Sequence, residues 1–158
     1  MQDHHKLKGL WILIALTLVS ALFMNVPTSP AYKEKTTDTD IIFRSIGSAN
    51  NLLLDDTPTF SSPQLFKTGN VVRLVPGTYY WKTTGISLVS TFTIVSEVAL
   101  AVEKQDDQYI IRNKGNVALD VAVKQRGIPV GFFIVARDDA LPLALEESVE
   151  IIGVERDG

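Results

Sequence analysis

After residue 40, apolar and polar residues alternate with a period of two almost to the end of the chain, and that period excludes most helical architectures. Successive side chains of a strand point to opposite faces, so a period of two marks strands with one buried face. In residues 117–124, Val117, Leu119, Val121 and Val123 fall on one side, while Ala118, Asp120, Ala122 and Lys124 fall on the other. Residues 90–96 set Phe92 and Ile94 against Thr91, Thr93 and Val95, and residues 98–104 set Val98, Leu100 and Val102 against Ala99, Ala101 and Glu103. Turn-forming residues separate these runs at Thr68-Gly69-Asn70, Pro76-Gly77, Gln105-Asp106-Asp107, Lys114-Gly115-Asn116 and Arg126-Gly127. Short, evenly spaced strands without a long amphipathic helix predict an all-β, antiparallel sandwich rather than a βαβ fold. Residues 138–148 contain Pro142 and are expected to be a loop or an edge segment.

The front of the chain differs in kind. Residues 10–26, LWILIALTLVSALFMNV, follow Lys6 and Lys8 and are closed by Pro27. A basic start and an apolar run have the shape of an export signal, whose apolar part spans about 7–15 residues, whereas a membrane-crossing helix needs about 20. The run falls between the two, and one N-terminal membrane helix is expected. Small residues before Tyr32 make Ala31 a candidate processing position. Lys33 and Lys35 balance the basic residues in front, yet a short tail before a large domain favours an inside N-terminus and an extracytoplasmic C-terminal domain. The expected division is therefore 1–26 tail and signal anchor, 27–40 a Thr-, Lys- and Asp-rich stalk, and 41–158 the β-domain.

Composition narrows the chemistry. The chain has no cysteine, and its two histidines, His4 and His5, precede the apolar run. The β-domain therefore lacks the residues for Ser-His-Asp or Cys-His nucleophiles and for imidazole- or thiolate-bound zinc. Among the serines after the run, Ser45, Ser48, Ser61, Ser62, Ser87, Ser90 and Ser96 have no lysine three positions on. A formal net charge of −3, with the two signs interspersed, gives no basic stripe for nucleic acid. No enzymatic activity, cofactor or metal is expected, and the expected partners are the membrane and another surface protein or a glycan.

Two stretches resemble known surface domains. Residues 71–85, VVRLVPGTYYWKTTG, followed by STFTI, are similar to the last strands of fibronectin type III-like domains of microbial surface proteins. Leu74, Pro76, Gly77, Thr78, Tyr79, Tyr80, Trp81 and Phe92 carry that likeness. Residues 108–124 resemble the Asn-x-Gly-Asn-Val element of archaeal and bacterial surface β-sandwich modules, through Asn113, Gly115, Asn116 and Val117. The whole order of segments is similar to small single-pass envelope proteins of archaea, a group without an assigned activity. The resemblance implies an Ig/fibronectin type III-like sandwich and a cell-surface interaction or scaffold role. One composite sandwich over 41–158 is expected, with two small sheets in tandem as the alternative. Lys8-Gly9 before the apolar run also looks like the processing site of type IV pilin precursors, with Ile14 where those carry glutamate. Cleavage after Gly9 would leave a filament subunit.

Candidate contact residues are Tyr79, Tyr80 and Trp81. On one strand Tyr79 and Trp81 share a face and Tyr80 takes the other, so one face is expected in the core and the other near the surface, able to stack on a sugar ring or a partner. The acidic pairs Asp55-Asp56, Asp106-Asp107 and Asp138-Asp139 offer too few converging oxygens for calcium and are read as solvated turns. The unalternating run around Phe132-Phe133 predicts a strand covered on both faces or an edge for self-association.

Overall fold

The structure is a computed structural model of the chain and describes residues 10–15, 24–106, 108–144 and 149–156. Among them are fifteen strands, and the residue-by-residue pairings resolved between strands are antiparallel. Residues 10–15 are helical, with Leu10, Trp11, Ile12 and Leu13 more than half exposed. Among the described residues no helix is long and apolar enough to cross a membrane. Gly9 and residues 16–23 lie outside the described residues.

The chain divides into two compact units rather than the one composite sandwich expected for 41–158. The first comprises Met1–Glu34, Asp40–Val72 and Thr78–Thr93, and the second Lys35–Thr39, Arg73–Gly77 and Ile94–Gly158.

The first unit starts earlier than the sequence suggested. Asn25, at the end of the apolar run, is buried; its amide donates to the Ile86 carbonyl and its Oδ1 accepts from the Ala49 amide, both at 3.0 Å. Next comes β1 (Val26–Ser29), paired with β4 (Arg44–Ile46). The segment expected to be a stalk thus enters sheets: β2 (Glu34–Thr36) edges a five-stranded sheet. That sheet continues through β9 (Ser90–Ile94), β8 (Gly77–Thr83), β5 (Asn51–Asp55) and β6 (Gln64–Lys67). A separate pair joins β3 (Asp40–Ile42) to β7 (Val71–Arg73). Between β3 and β4 the chain inserts Phe43, wholly buried, which meets Trp81 edge-on at 5.1 Å and Phe92 at 5.8 Å. Strands as short as β2 and β3 carry no period of their own. Pairing partners far along the chain decide their state, which is why the stalk reading fails.

The second unit places two three-stranded sheets around one core. One has the order β10 (Leu100–Gln105), β11 (Gln108–Asn113), β14 (Ala140–Leu143). The other has β13 (Ile128–Val135), β12 (Leu119–Gln125), β15 (Val149–Glu155). Leu119, Val121 and Val123, the side that the alternation marks as apolar, are at most 1% exposed and cluster with Ile111 and Val135. Leu100, Phe133, Leu141 and Ile151 pack around them. Pro142 sits on β14, an edge strand, where a missing amide is tolerated.

Two asparagines, Asn113 buried and Asn116 half-buried, tie this unit together. Asn113 donates to the carbonyls of Val117 (2.7 Å) and Val135 (3.1 Å) and accepts from the Gly115 amide (3.0 Å). Asn116 accepts from the Glu97 amide (2.7 Å) and donates to the carbonyls of Thr37 and Val95, both at 2.8 Å. The Asn-x-Gly-Asn-Val stretch is therefore a clamp, and Thr37 from the expected stalk is one of the groups it holds.

The β12–β13 hairpin turns through Arg126 (φ 51°) and Gly127 (φ 79°), both left-handed. That is the twist that two-residue hairpins favour. An added Cβ at Gly127 meets nothing within 4 Å, so Gly127→Ala carries a purely conformational penalty. It should lower stability by about 1–2 kcal/mol in urea denaturation.

Candidate functional site

Because the inward parity of β12 is filled by Leu119, Val121 and Val123, Asp120, Ala122 and Lys124 must face outward. Register sets their neighbours. Asp120 lies between Ile134 and Val154, Ala122 between Phe132 and Ile152, and Lys124 between Pro129 and Glu150. The outward face of the β13-β12-β15 sheet thus has one wholly apolar row at Ala122, a row in which Ile134 and Val154 flank Asp120, and a charged row at Lys124 and Glu150. Phe132 is 79% exposed, Ile134 59%, Val154 55% and Ile152 39%. The small Ala122 side chain leaves a hollow of about 480 Å³ between these larger ones. In the next row Lys124 Nζ lies 3.7 Å from Glu150 Oε2. A register shift between Val123 and Lys124 leaves Val130, half exposed, as an extra residue on β13.

The outward face of the other sheet has the usual solvated character. Glu103 pairs there with Arg112 at 3.5 Å and with Lys114 at 3.7 Å, and Gln105 and Gln108 are exposed. That face mixes ion pairs with Ile110 and Pro142, whereas the β13-β12-β15 face exposes larger apolar side chains, Phe132, Ile134 and Val154. Contiguous exposed apolar side chains on a folded domain mark an interaction surface.

Phe132-Phe133 was expected to be covered on both sides or to form an edge. The structure splits the pair: Phe133 packs on the core and Phe132 stands in solvent, on a strand that is an edge of its sheet. The sequence signal for this face was present, since Phe132, Ile134, Ile152 and Val154 share parity on their strands. It is visible only when the pairing of β12 with both neighbours is known.

The aromatic strand is placed as its parity requires. Trp81 is wholly buried against Phe43, and Tyr79 stacks on Phe92 with centroids 5.6 Å apart. Trp81 therefore offers no contact surface, because it is the largest side chain of the first core. Tyr80, half-buried, is the member of the trio on the opposite face, one alternation from Lys82, whose ammonium lies 4.3 Å above the Phe60 ring. Ala31 sits in the turn between β1 and β2, its carbonyl accepting from the Glu34 amide at 3.1 Å. Processing there would cut β1 away from its unit.

Among the described residues no group of three His, Cys, Asp or Glu could hold a metal ion. Asp55 instead organises its own loop: its carboxylate accepts from the Thr57 amide and hydroxyl at 3.0 Å and from the Ser62 amide at 2.9 Å. Burial pushes this carboxyl up, but the Ser62 and Thr57 hydrogen bonds outweigh it and hold the group below its ordinary value of 3.8. A carboxylate with a depressed folded pKa adds stability above the unfolded pKa, and that stability is lost as pH falls through the folded value. Asp55→Asn should therefore lower the melting temperature at neutral pH, with the difference from wild type closing on acidification below 3.8. Thermal melts across pH check this; a pH-independent gap would contradict it.

A second concavity in the same unit, about 520 Å³, is lined by Arg73, Pro76, Arg137 and Arg156. Arg137 is already committed there, to the Thr39 hydroxyl and to Asp138 Oδ2 at 3.0 Å, so the groove is less of an anion site than its count of arginines suggests.

Comparison of the chain with protein-family models and with curated proteins finds no match.

Proposed function

We propose that this chain is a non-enzymatic interaction or scaffold module of the cell surface. Its N-terminal apolar segment tethers it to the membrane by a single pass, with the β-units outside. The observation that carries the reading is the solvent-facing apolar sheet of the second unit, with Phe132, Ile134, Ile152 and Val154 around Ala122. A face of this kind gains by exclusion of water from about 25 cal/mol for each Å² covered. The apolar character of residues 10–26, with Leu10, Trp11 and Ile12 more than half exposed, supports the tether. The absence of histidine and cysteine after the apolar run supports a binding role over catalysis. Two sheets facing each other across one core support an Ig/fibronectin type III-like assignment for the second unit.

Cell fractionation tests the tether. The full chain should stay in the membrane pellet after alkaline extraction and should be digested by protease added outside intact cells. Release into the alkaline supernatant, or protection from external protease, would overturn it. Intact mass adds a further arm: a start at Leu10 would point to a filament subunit instead. A glycan-binding role has one specific foothold, Tyr80 beside the Phe60–Lys82 pair; it requires polysaccharide binding by the full chain that Tyr80→Ala abolishes.

A further inference from the structure

The outward sheet face of the second unit carries its charges in a pattern that fits one occupant. Asp120 and Lys124 lie on the same face of the central strand, four residues apart and on either side of Ala122. Suppose a second identical face is laid on this one by a two-fold axis in the interface plane. Only two orientations align the strands.

With the axis along β12, Asp120 would meet Asp120 and Lys124 would meet Lys124. Like charges placed opposite each other cost several kcal/mol across an interface. With the axis across β12 at Ala122, the strands run antiparallel and Asp120 of each copy meets Lys124 of the other. Phe132 then meets Phe132 and Ile152 meets Ile152, while the small Ala122 side chains at the axis leave room for the rings to interleave. Lys124 comes to lie between its own Glu150 and the second copy's Asp120. We propose that this face is the seat of a second copy of the chain, packed antiparallel about a two-fold axis at Ala122. The proposal rests on reading the face as a docking surface.

The size of the face sets the regime. Three strands spaced about 4.7–4.9 Å apart, over about five residues of β12, give roughly 240 Å² of sheet. A standard stable interface covers about 800 Å² on each partner. The pair is therefore weak in dilute solution and forms where copies are held close together, as on one membrane, where tethering raises the effective concentration.

The chain contains no cysteine, so an introduced one is unique. The test uses the full chain on its membrane, with Ala122→Cys and a bis-maleimide of about 10 Å reach, matched to the spacing of packed sheets. Gln108→Cys on the solvated face serves as control. A cross-linked species of twice the chain mass is expected from Ala122→Cys and not from Gln108→Cys. Adding Asp120→Lys or Lys124→Glu alone should reduce it about tenfold or more. Combining the two with Glu150→Lys, which inverts every charge of the pattern including the partner of Lys124 within its own sheet, should restore it, which also shows that the variants fold. No dimer from Ala122→Cys, or a dimer indifferent to the charge changes, overturns the proposal. If a photoreactive group at Phe132 still captures a different protein, the docking surface stands and only its occupant is wrong.

Discussion

Trp81→Ala should lower the stability of the first unit by about 4 kcal/mol, because removing a wholly buried aromatic forfeits its transfer energy and leaves a cavity. The edge-on contact with Phe43 at 5.1 Å adds to the loss, since such ring pairs contribute about 0.5–1.5 kcal/mol beyond area. Whole domains are stable by about 5–15 kcal/mol, so the variant should approach the folding threshold. Trp81→Phe should be far milder. Its ring keeps most of the volume, and the indole Nε1 it removes is buried without a hydrogen-bond partner, so no bond is lost with it. Urea denaturation followed by far-UV circular dichroism compares the two. Equal losses would mean that Trp81 is not the centre of this core.

The second large effect is expected at Gly115. A Cβ there would lie 2.1 Å from the Glu97 carbonyl oxygen and 2.8 Å from the Ala99 amide nitrogen, both backbone atoms that no rotamer change can move. Gly115→Ala should cost about 3 kcal/mol through forced backbone displacement. That displacement pulls on the bonds of Asn116 to Glu97, Thr37 and Val95. Asn116→Ala alone should cost about 2 kcal/mol, and the double variant should cost less than the sum, because both changes release the same strap. Additive losses would show that the glycine and the asparagine act separately. Gly127 provides the contrast: a left-handed glycine in open space, where the penalty comes from φ and not from a clash.

Strand parity was legible wherever a strand was long enough to show it. Leu119, Val121, Val123, Phe92 and Ile94 are buried as their alternation indicates, and Tyr79 and Trp81 share the inward face of β8. The same rule falters at β10, where Leu100 packs inward but Val102 on the same parity is 44% exposed. β10 is an edge strand, and the core no longer reaches its far end. The segment 27–40 was misread because its polar composition resembles a linker. What makes β1 a strand is Ile46 and Ser45 opposite Val26 and Pro27, and no local window contains that information. Two small sheets in tandem stood only as the alternative, and the way the two units interleave was hidden, since residues 35–39 and 73–77 join the second unit from positions inside the first. Leu74, read as part of an aromatic-strand motif, donates its amide to Thr39 at 2.8 Å in that second unit.

The candidate site was half legible. The Phe132-Phe133 run drew attention to the right strand, but a continuous apolar stretch is compatible with burial on both faces, and only the pairing of β12 with β13 and β15 shows that one face is left open. Asp55 was read as a solvated turn residue; it instead ends β5 and is buried, because its carboxylate accepts from Thr57 and Ser62 in the loop that follows.

The docking role of that open face is tested most directly by placing a benzophenone side chain at position 132 or, as control, at position 108 of the full chain. Irradiation is then carried out on intact cells that produce the chain. A covalent adduct from position 132 with none from position 108 is the expected result. Absence of any adduct at 132, or equal capture at both positions, would contradict an interaction module that works through its apolar sheet face.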